Sequence, residues 1–416
     1  MSFSKVNFWI EGDISTTRVI SRLLNDVVGS GNCRTKLIRS LSWATLTSGI
    51  NIFCRISDPG FYWLPSYLKS KGISYAYYLD DNFWKITGSS PLARYYQTPS
   101  VVNSLDEFIK GAEFVITHTQ VMANFITDRF AGVRCEILPV PFDTEFLDNI
   151  AGRMSLPVRG FPIVGYAGGY KEEEFEFLEE VICHLNSERP EIRFEFIGGI
   201  SDGLRCLNNV QWFPGTSDYE AFLSLKVSRG WTVGLAPLMD TEFNSSKTNN
   251  KFREYSGCHI PGVYSRTSPY VECVRPDESG LLVRNEVGAW VEAIKRIVDD
   301  ELLQEKIRKE SFAFVVSNYS HRVIAPAWKK AIDRIPGLPI SRRLESFRFR
   351  FFKYCALLGL VDGKVPQKQS SFIWMCKAIG RRVSKALLSR LGVKRLFLIA
   401  CLLSLYLFTI VMFKVL

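Results

Sequence analysis

Phe243-Asn-Ser-Ser-Lys247-Thr-Asn-Asn-Lys251-Phe-Arg-Glu254-Tyr255-Ser-Gly257-Cys-His-Ile-Pro261-Gly-Val-Tyr-Ser265 is the stretch of this 416-residue chain in which the most chemistry is concentrated. Ser245 or Ser246 can cap a helix whose first amides are those of Lys247 to Asn249, because a serine hydroxyl accepts from the unpaired N–H groups of a first turn. Lys247 and Lys251, four apart, share one face of that helix and put two ammonium groups beside an anion-binding helix end. Glu254 follows one turn later, able to accept hydrogen bonds from a diol such as a ribose. The same residues also read as a solvated amphipathic helix with a Lys251–Glu254 pair worth about 0.2–0.5 kcal/mol. From this stretch alone both readings stand.

Upstream, Val164-Gly165-Tyr166-Ala167-Gly168-Gly169 reads as a strand that runs into a glycine turn. Lys171 to Asn186 then carries Phe175, Phe177, Leu178, Val181, Ile182 and Leu185 at helical spacing. A strand, a glycine turn and a helix together let the backbone approach an anion at the positive end of the helix. Glu172, Glu173 and Glu174 in the first turn suit that dipole themselves and oppose a phosphate unless Lys171 offsets them. Further strands are expected at 192–197, 210–213, 232–237 and 261–265, and helices at 290–298, 301–314 and 321–335. In the first half, strands are expected at 73–79, ending at Asp80-Asp81, at 112–117, and from Cys135 to the prolines before Asp143, with a helix at 120–130 between the last two. Alternating strands and helices of this kind imply an α/β protein with two Rossmann-like, doubly wound domains facing a cleft, with ligands at the carboxyl ends of the strands. The expected boundaries are 1–156 and 157–318 for the two domains, 319–340 for a closing helix that packs back toward the first, and 341–416 for a tail.

Charge divides the chain at the same place. The formal net charge is +10, yet residues 341–416 hold fifteen Lys or Arg against two Asp or Glu, which leaves −3 on the first 340. A mildly acidic body argues against a nucleic-acid-binding protein. With 47% hydrophobic and 23% charged residues, intrinsic disorder and a multi-span transporter are also excluded. Leu396 to Phe413 is eighteen residues without a charge, about 27 Å as a helix against a roughly 30 Å bilayer core. Phe372 to Gly392 mixes apolar and basic residues as an interfacial helix on anionic lipid does. The basic flank of 396–413 places the body on the cytoplasmic face of the inner membrane, with an anionic membrane as partner through 341–416. Ten scattered cysteines without a CxxC pair fit a reduced compartment, and four separated histidines show no zinc spacing. The segment before Glu11 has no secretory character.

The ordered set of segments resembles the GT-B glycosyltransferases of family 4, the group 1 glycosyl transferases, especially those of bacterial surface-polysaccharide assembly. Phe243 to Tyr270 is similar to that group's F-N-x-S-K-x-x-x-K-x-x-E-Y segment with its I-P and P-Y ends. Tyr78 to Ile86 is similar to its DD-x-hydrophobic-W strand end, Ser104 to Thr117 to its AD-x-V segment, Ile137 to Asp143 to its LPNPVD strand, and Ser279 to Val283 to its NGLLV turn. The resemblance covers residues 60–335. It implies transfer of a sugar from a nucleotide-sugar donor to a lipid-linked or glycan acceptor, with retention at the anomeric carbon. By matching position Glu254 would hold the donor ribose, and Lys251 and Lys247 would stabilise the departing diphosphate. Gly168, Gly169, Lys171, Ser246, Thr248 and Tyr255 would contact the donor, while Asp80, Asp81 and His118 are the acceptor-side candidates. No metal or other cofactor is expected where lysines and helix ends do this work. The chain departs from the pattern at Ser246, where the family places an acidic residue, and at His259, where it places glycine. Those two departures suggest a second reading, a non-catalytic membrane-anchored scaffold with a degenerate donor site.

Overall fold

The computed structural model describes residues 5–144, 146–147 and 160–336, together with 349, 350 and 353. The apolar stretch 396–413, the basic stretch 372–392 and the expected linker at 151–159 lie outside the described residues. Among the described residues no helix is long and apolar enough to cross a membrane.

Two six-stranded parallel sheets form the body. The first contains β1 (Val6–Ile10), β2 (Cys33–Leu37), β3 (Ile50–Cys54), β4 (Tyr75–Tyr78), β5 (Phe114–Thr117) and β6 (Cys135–Ile137), in the order β2-β1-β3-β4-β5-β6. The second contains β7 (Ile163–Gly168), β8 (Arg193–Gly198), β9 (Val210–Phe213), β10 (Val233–Ala236), β11 (Gly262–Ser265) and β12 (Leu281–Val283), in the order β12-β11-β10-β7-β8-β9. Strand order therefore reverses between β1 and β3 in the first sheet and between β7 and β10 in the second. Such reversals open a crevice at the carboxyl ends of the strands, because neighbouring crossovers leave on opposite faces.

The inner strands are short and buried on both faces, whereas the edge strands β2, β6 and β9 are partly exposed. Along β1, Trp9 joins a cluster with Phe53, Tyr75 and Tyr77 on one side of the sheet. Phe8 and Ile10 join Ile52, Ala76 and Tyr78 on the other, as a period of two requires. In β1 and β3 this two-sided burial erases the polar alternation that marks an exposed strand, while β2 is a mostly polar, half-exposed edge strand; these three, β12 and the helix Ser15–Val28 lie outside the expected elements. The other strands, β12 apart, fall within a few residues of expectation. The helix His321–Ile332 contributes Ile324, Trp328, Ala331 and Ile332 to the core of the first domain, and Trp328 Nε1 donates to Pro139 O at 3.0 Å. The chain thus begins and ends its described body in the same domain.

Gly165 shows how tightly the second sheet is covered. A Cβ there would lie 2.0 Å from the ring of Trp231, whose Nε1 is held by Glu195 Oε2 at 2.8 Å. Trp231 cannot retreat without losing that bond. Gly165→Ala is expected to destabilise the second domain by about 1–3 kcal/mol, the usual cost of overpacking, as read by urea unfolding.

Candidate active site

The site grows from the reversal between β7 and β10. At the end of β7 the backbone of Gly168 takes a φ of +153°, which a side chain rarely tolerates. Gly199 N donates to Gly168 O at 2.7 Å, and a Cβ on Gly198 would meet that carbonyl at 2.5 Å. Glycines on both strands are what let this turn close. Nothing lies within 4 Å of a Cβ position on Gly169, so its backbone faces open space.

Three ammonium groups converge beside this turn. Lys251 donates from Nζ to Ala167 O, with the ammonium 4.0 Å from the centroid of the Tyr166 ring. Burial draws its pKa down to about 7, and like-charge repulsion from Lys171 adds to the effect. Lys247 is shifted down from its usual value by the same two causes in the same order. Lys171 pairs with Glu174 at 2.5 Å, and Glu174 Oε2 has no hydrogen-bond partner. Asp81 and Glu254 also act on these lysines but are themselves paired with Arg55 and Lys226, so a local excess of positive charge is left at the open turn, a setting that an anion would relieve.

The helix start differs from expectation. The Thr241 hydroxyl accepts from Asn244 N at 3.2 Å and caps a short helix, Glu242–Ser245, which Ser246 ends. The amides of Ser246 and Lys247 are both consumed by Asn244 O. Ser246 is therefore a C-cap, not an N-cap, and the expected anion cradle at 246–248 does not form. The second helix runs Asn250–Gly257 after Asn249. Its first intrahelical bond is Arg253 N to Asn249 O, so its open end is built from the amides of Asn250, Lys251 and Phe252.

Ser246 instead belongs to the contact between domains. Its hydroxyl donates to Glu242 O at 3.2 Å and accepts from Asn82 Nδ2 at 3.4 Å, while Thr119 Oγ1 donates to its carbonyl at 3.2 Å. Lys85 and Glu242 add an ion pair at 2.6 Å across the same gap. Tyr255 is a second correction. It is fully buried, and its hydroxyl donates to Leu235 O at 2.8 Å and accepts from Ala167 N at 3.3 Å, so it ties β10 to β7 beneath the site and does not face a ligand. Thr248 is partly exposed, with its hydroxyl on Asn250 Oδ1 at 2.8 Å.

Glu254 is not an idle carboxylate. Lys226, whose side chain is wholly buried, reaches its Oε2 at 2.6 Å, and the Tyr219 hydroxyl reaches Oε1 at 3.3 Å. Burial alone would raise the Glu254 carboxyl, but Lys226 more than offsets this and holds it below the usual carboxylate range. Glu254 lines a cavity of about 50 Å³ together with Thr16, Asp80, Thr248 and Asn250.

On the other wall, Arg55 at the end of β3 bridges Asp80 at 3.3 Å and Asp81 at 2.9 Å. Its backbone has a positive φ of 56° and its guanidinium lies 4.6 Å from the Phe83 ring centroid. The place a cation would take between the two carboxylates is filled. Among the described residues no three His, Cys, Asp or Glu side chains are grouped to hold a metal ion. His118 is a third correction. Its Nδ1 faces Leu138 O and its Nε2 faces the Tyr78 hydroxyl at 2.8 Å. A carbonyl only accepts, so Nδ1 carries the hydrogen and Nε2 accepts from Tyr78. Burial lowers its pKa to about 4. With both nitrogens engaged, His118 is no proton acceptor for a substrate.

No protein-family model matches the chain, and no curated protein is similar to it in sequence. Among solved structures it is similar to sucrose-phosphate synthase from Thermosynechococcus elongatus, with a TM-score of 0.58 and 14% identity over 80% of this chain and 98% of that one. Anabaena HepE in complex with UDP and glucose gives a TM-score of 0.58 at 12% identity over 80% and 100% of the two chains. TarM gives 0.52 at 14% identity over 69% of this chain and 55% of that one. At such identities the likeness establishes the fold. The chain has the GT-B fold, with its two Rossmann-like domains facing each other across a cleft.

Proposed function

We propose that the protein is a retaining glycosyltransferase that moves a sugar from a nucleotide-sugar donor to a lipid-linked or polysaccharide acceptor at the cytoplasmic face of the inner membrane. The observation that carries the reading is the convergence of Lys171, Lys247 and Lys251 on the open glycine turn at the end of β7. A GT-B neighbour whose structure contains UDP supports a nucleoside diphosphate as the group held there. As the bond between the anomeric carbon and the diphosphate oxygen breaks, negative charge grows on the diphosphate. Fixed ammonium groups and the amides of Asn250 to Phe252 are preorganised to receive it, without a metal ion. Glu254 offers Oε1 to the donor ribose while Lys226 holds Oε2.

The acceptor hydroxyl must lose a proton. His118 has no free nitrogen, and Asp80 and Asp81 are both held by Arg55. The departing diphosphate oxygen then serves as the base, on the face from which it leaves, which accords with retention. A cavity of about 50 Å³ at Glu254 is too small for a nucleotide sugar, so the contacts of Ser246 with Asn82 and Thr119 must part to load the donor. The scaffold reading draws on the engaged state of Glu254 and on Ser246. Calorimetric titration with a panel of nucleotide sugars separates the two: an enzyme binds at least one and turns it over, and binding of none would sink the enzymatic reading.

Lys251 makes the affinity pH-dependent. A diphosphate favours its protonated form, and in the free protein that form is lost as pH rises through about 7. UDP affinity is therefore expected to fall by several-fold from pH 6.5 to 8.5, with proton uptake on binding at neutral pH. Calorimetry in buffers of different ionisation enthalpy reads the uptake, and Lys251→Met should abolish it.

A further inference from the structure

The tail touches the body at a built site on the first domain, remote in sequence from the cleft residues. Phe349 is fully buried. Its ring centroid lies 6.0 Å from Trp43, 5.6 Å from Trp63 and 5.4 Å from Tyr67, all at tilted or edge-on angles that aromatic pairs favour. Four residues on, Lys353 donates from Nζ to the carbonyls of Arg39 and Leu41, each at 2.8 Å. Both residues are helical. The carbonyls belong to the short 3-10 helix Ile38–Ser40 and its end, just past the carboxyl end of β2. Trp63 and Tyr67 belong to the connection that leaves the carboxyl end of β3. Those are the strand ends that open on the cleft, and Arg55 follows β3 directly.

We propose that Phe349 and Lys353 are a clip that fastens the tail to this aromatic socket, and that the clip holds the acceptor-side edge of the first domain close to an anionic lipid surface. The second half of the proposal rests on the membrane reading given above. Its support is sequence and reach. After Asp362 the chain has ten Lys or Arg and no Asp or Glu, and Phe372 opens the basic, apolar stretch. An unclipped tether from Pro336 to Phe372 is 36 residues long and spans up to about 120 Å, whereas from Lys353 it is 19 residues and about 65 Å. Shortening a tether raises the effective concentration of what it carries. Beside the socket Arg39 is largely exposed and pairs with Asp58 at 3.8 Å, and the Lys71 ammonium lies 5.6 Å from the Tyr67 ring centroid.

Hydrogen exchange on the full chain tests the clip, with Phe349→Asp and Lys353→Glu as separate variants and a chain ended after residue 340 as reference. Amides of Trp43–Leu46 and Leu64–Ser70 should exchange at least tenfold faster in all three than in the natural chain, while β7 and β8 are unchanged. Equal exchange in the natural chain and Phe349→Asp would overturn the clip. For the lipid half, vesicles of phosphatidylglycerol should bind the natural chain and Phe349→Asp alike, and protect 38–46 further in the natural chain only. Equal vesicle protection in both chains overturns the positioning role. If the natural chain binds no better to phosphatidylglycerol than to phosphatidylcholine, the membrane reading fails and takes the lipid half with it, while the clip is judged by exchange alone.

Discussion

Lys251→Ala should reduce sugar transfer by about 10²–10³-fold, the range seen when a single preorganised charge-stabilising donor is removed from an active site. The size of the effect follows from where the ammonium stands. It is half-buried, fixed by Ala167 O and the Tyr166 ring, beside the turn where Gly168 and Gly169 leave room for a diphosphate. Because it acts on charge that develops as the donor bond breaks, kcat should fall more than KM rises. Lys251→Arg should rescue little. The ammonium sits on Ala167 O and 4.0 Å from the Tyr166 ring centroid, and a larger, planar guanidinium cannot keep both contacts from the same backbone position. Steady-state kinetics with the donor found by calorimetry provide the check. Turnover within threefold of the natural protein in Lys251→Ala would remove this residue from the diphosphate site.

What the sequence disclosed and what it hid divide along sequence distance. Lys247, Lys251 and Glu254 lie within eight residues, and Val164 to Gly169 is one strand and one turn, so helical spacing and turn chemistry suffice to find them. Their supports come from elsewhere in the chain. Lys226 lies 28 residues before Glu254 and Tyr219 lies 35 before it. Arg55 lies 26 before Asp81. Nothing local announces these pairings, because they exist only once helices and strands have packed. The errors have the same origin. Ser246 looked like a cap because a serine before lysines can be one, but Thr241 captures the amide of Asn244 first and moves the helix end. Tyr255 and His118 carry groups that could bind a ligand, yet packing spends their hydrogen bonds on Leu235, Ala167, Leu138 and Tyr78. The two doubly wound halves were legible from strands alternating with helices, and the GT-B fold from the resemblance carried by Phe243 to Tyr270 and the ordered segments around it. Of the first strands, β1 and β3 are short apolar runs and β2 is a mostly polar edge strand, and none of them is defined without its neighbours in the sheet.

The ion pair between Lys226 and Glu254 yields the largest expected change in stability. Both groups are out of water, the lysine wholly so, and removing one partner of a buried pair leaves the other charge without compensation at a cost of about 3–5 kcal/mol. Lys226→Met is the informative variant, since its unbranched chain fills the space against Phe222 and Tyr255 that the lysine stem occupies. The pH dependence distinguishes a lost charge from lost packing. In the natural protein the Glu254 carboxyl sits below its ordinary value. Its contribution is therefore present above the unfolded carboxylate pKa near 4.3, and is lost as pH falls through the folded value. In Lys226→Met burial, which raises that carboxyl, is opposed only by the charges of Lys251 and Arg253, so the folded state binds a proton more readily than the natural fold does. The penalty relative to the natural protein should be largest at pH 8 and shrink at pH 5 as Glu254 is neutralised. Adding Glu254→Gln to Lys226→Met should recover most of the loss at pH 8 and little at pH 5. Urea unfolding at the two pH values measures all four proteins. A loss independent of pH and not relieved by Glu254→Gln would mean that Lys226 acts through packing and does not hold the Glu254 carboxylate in place for a ribose.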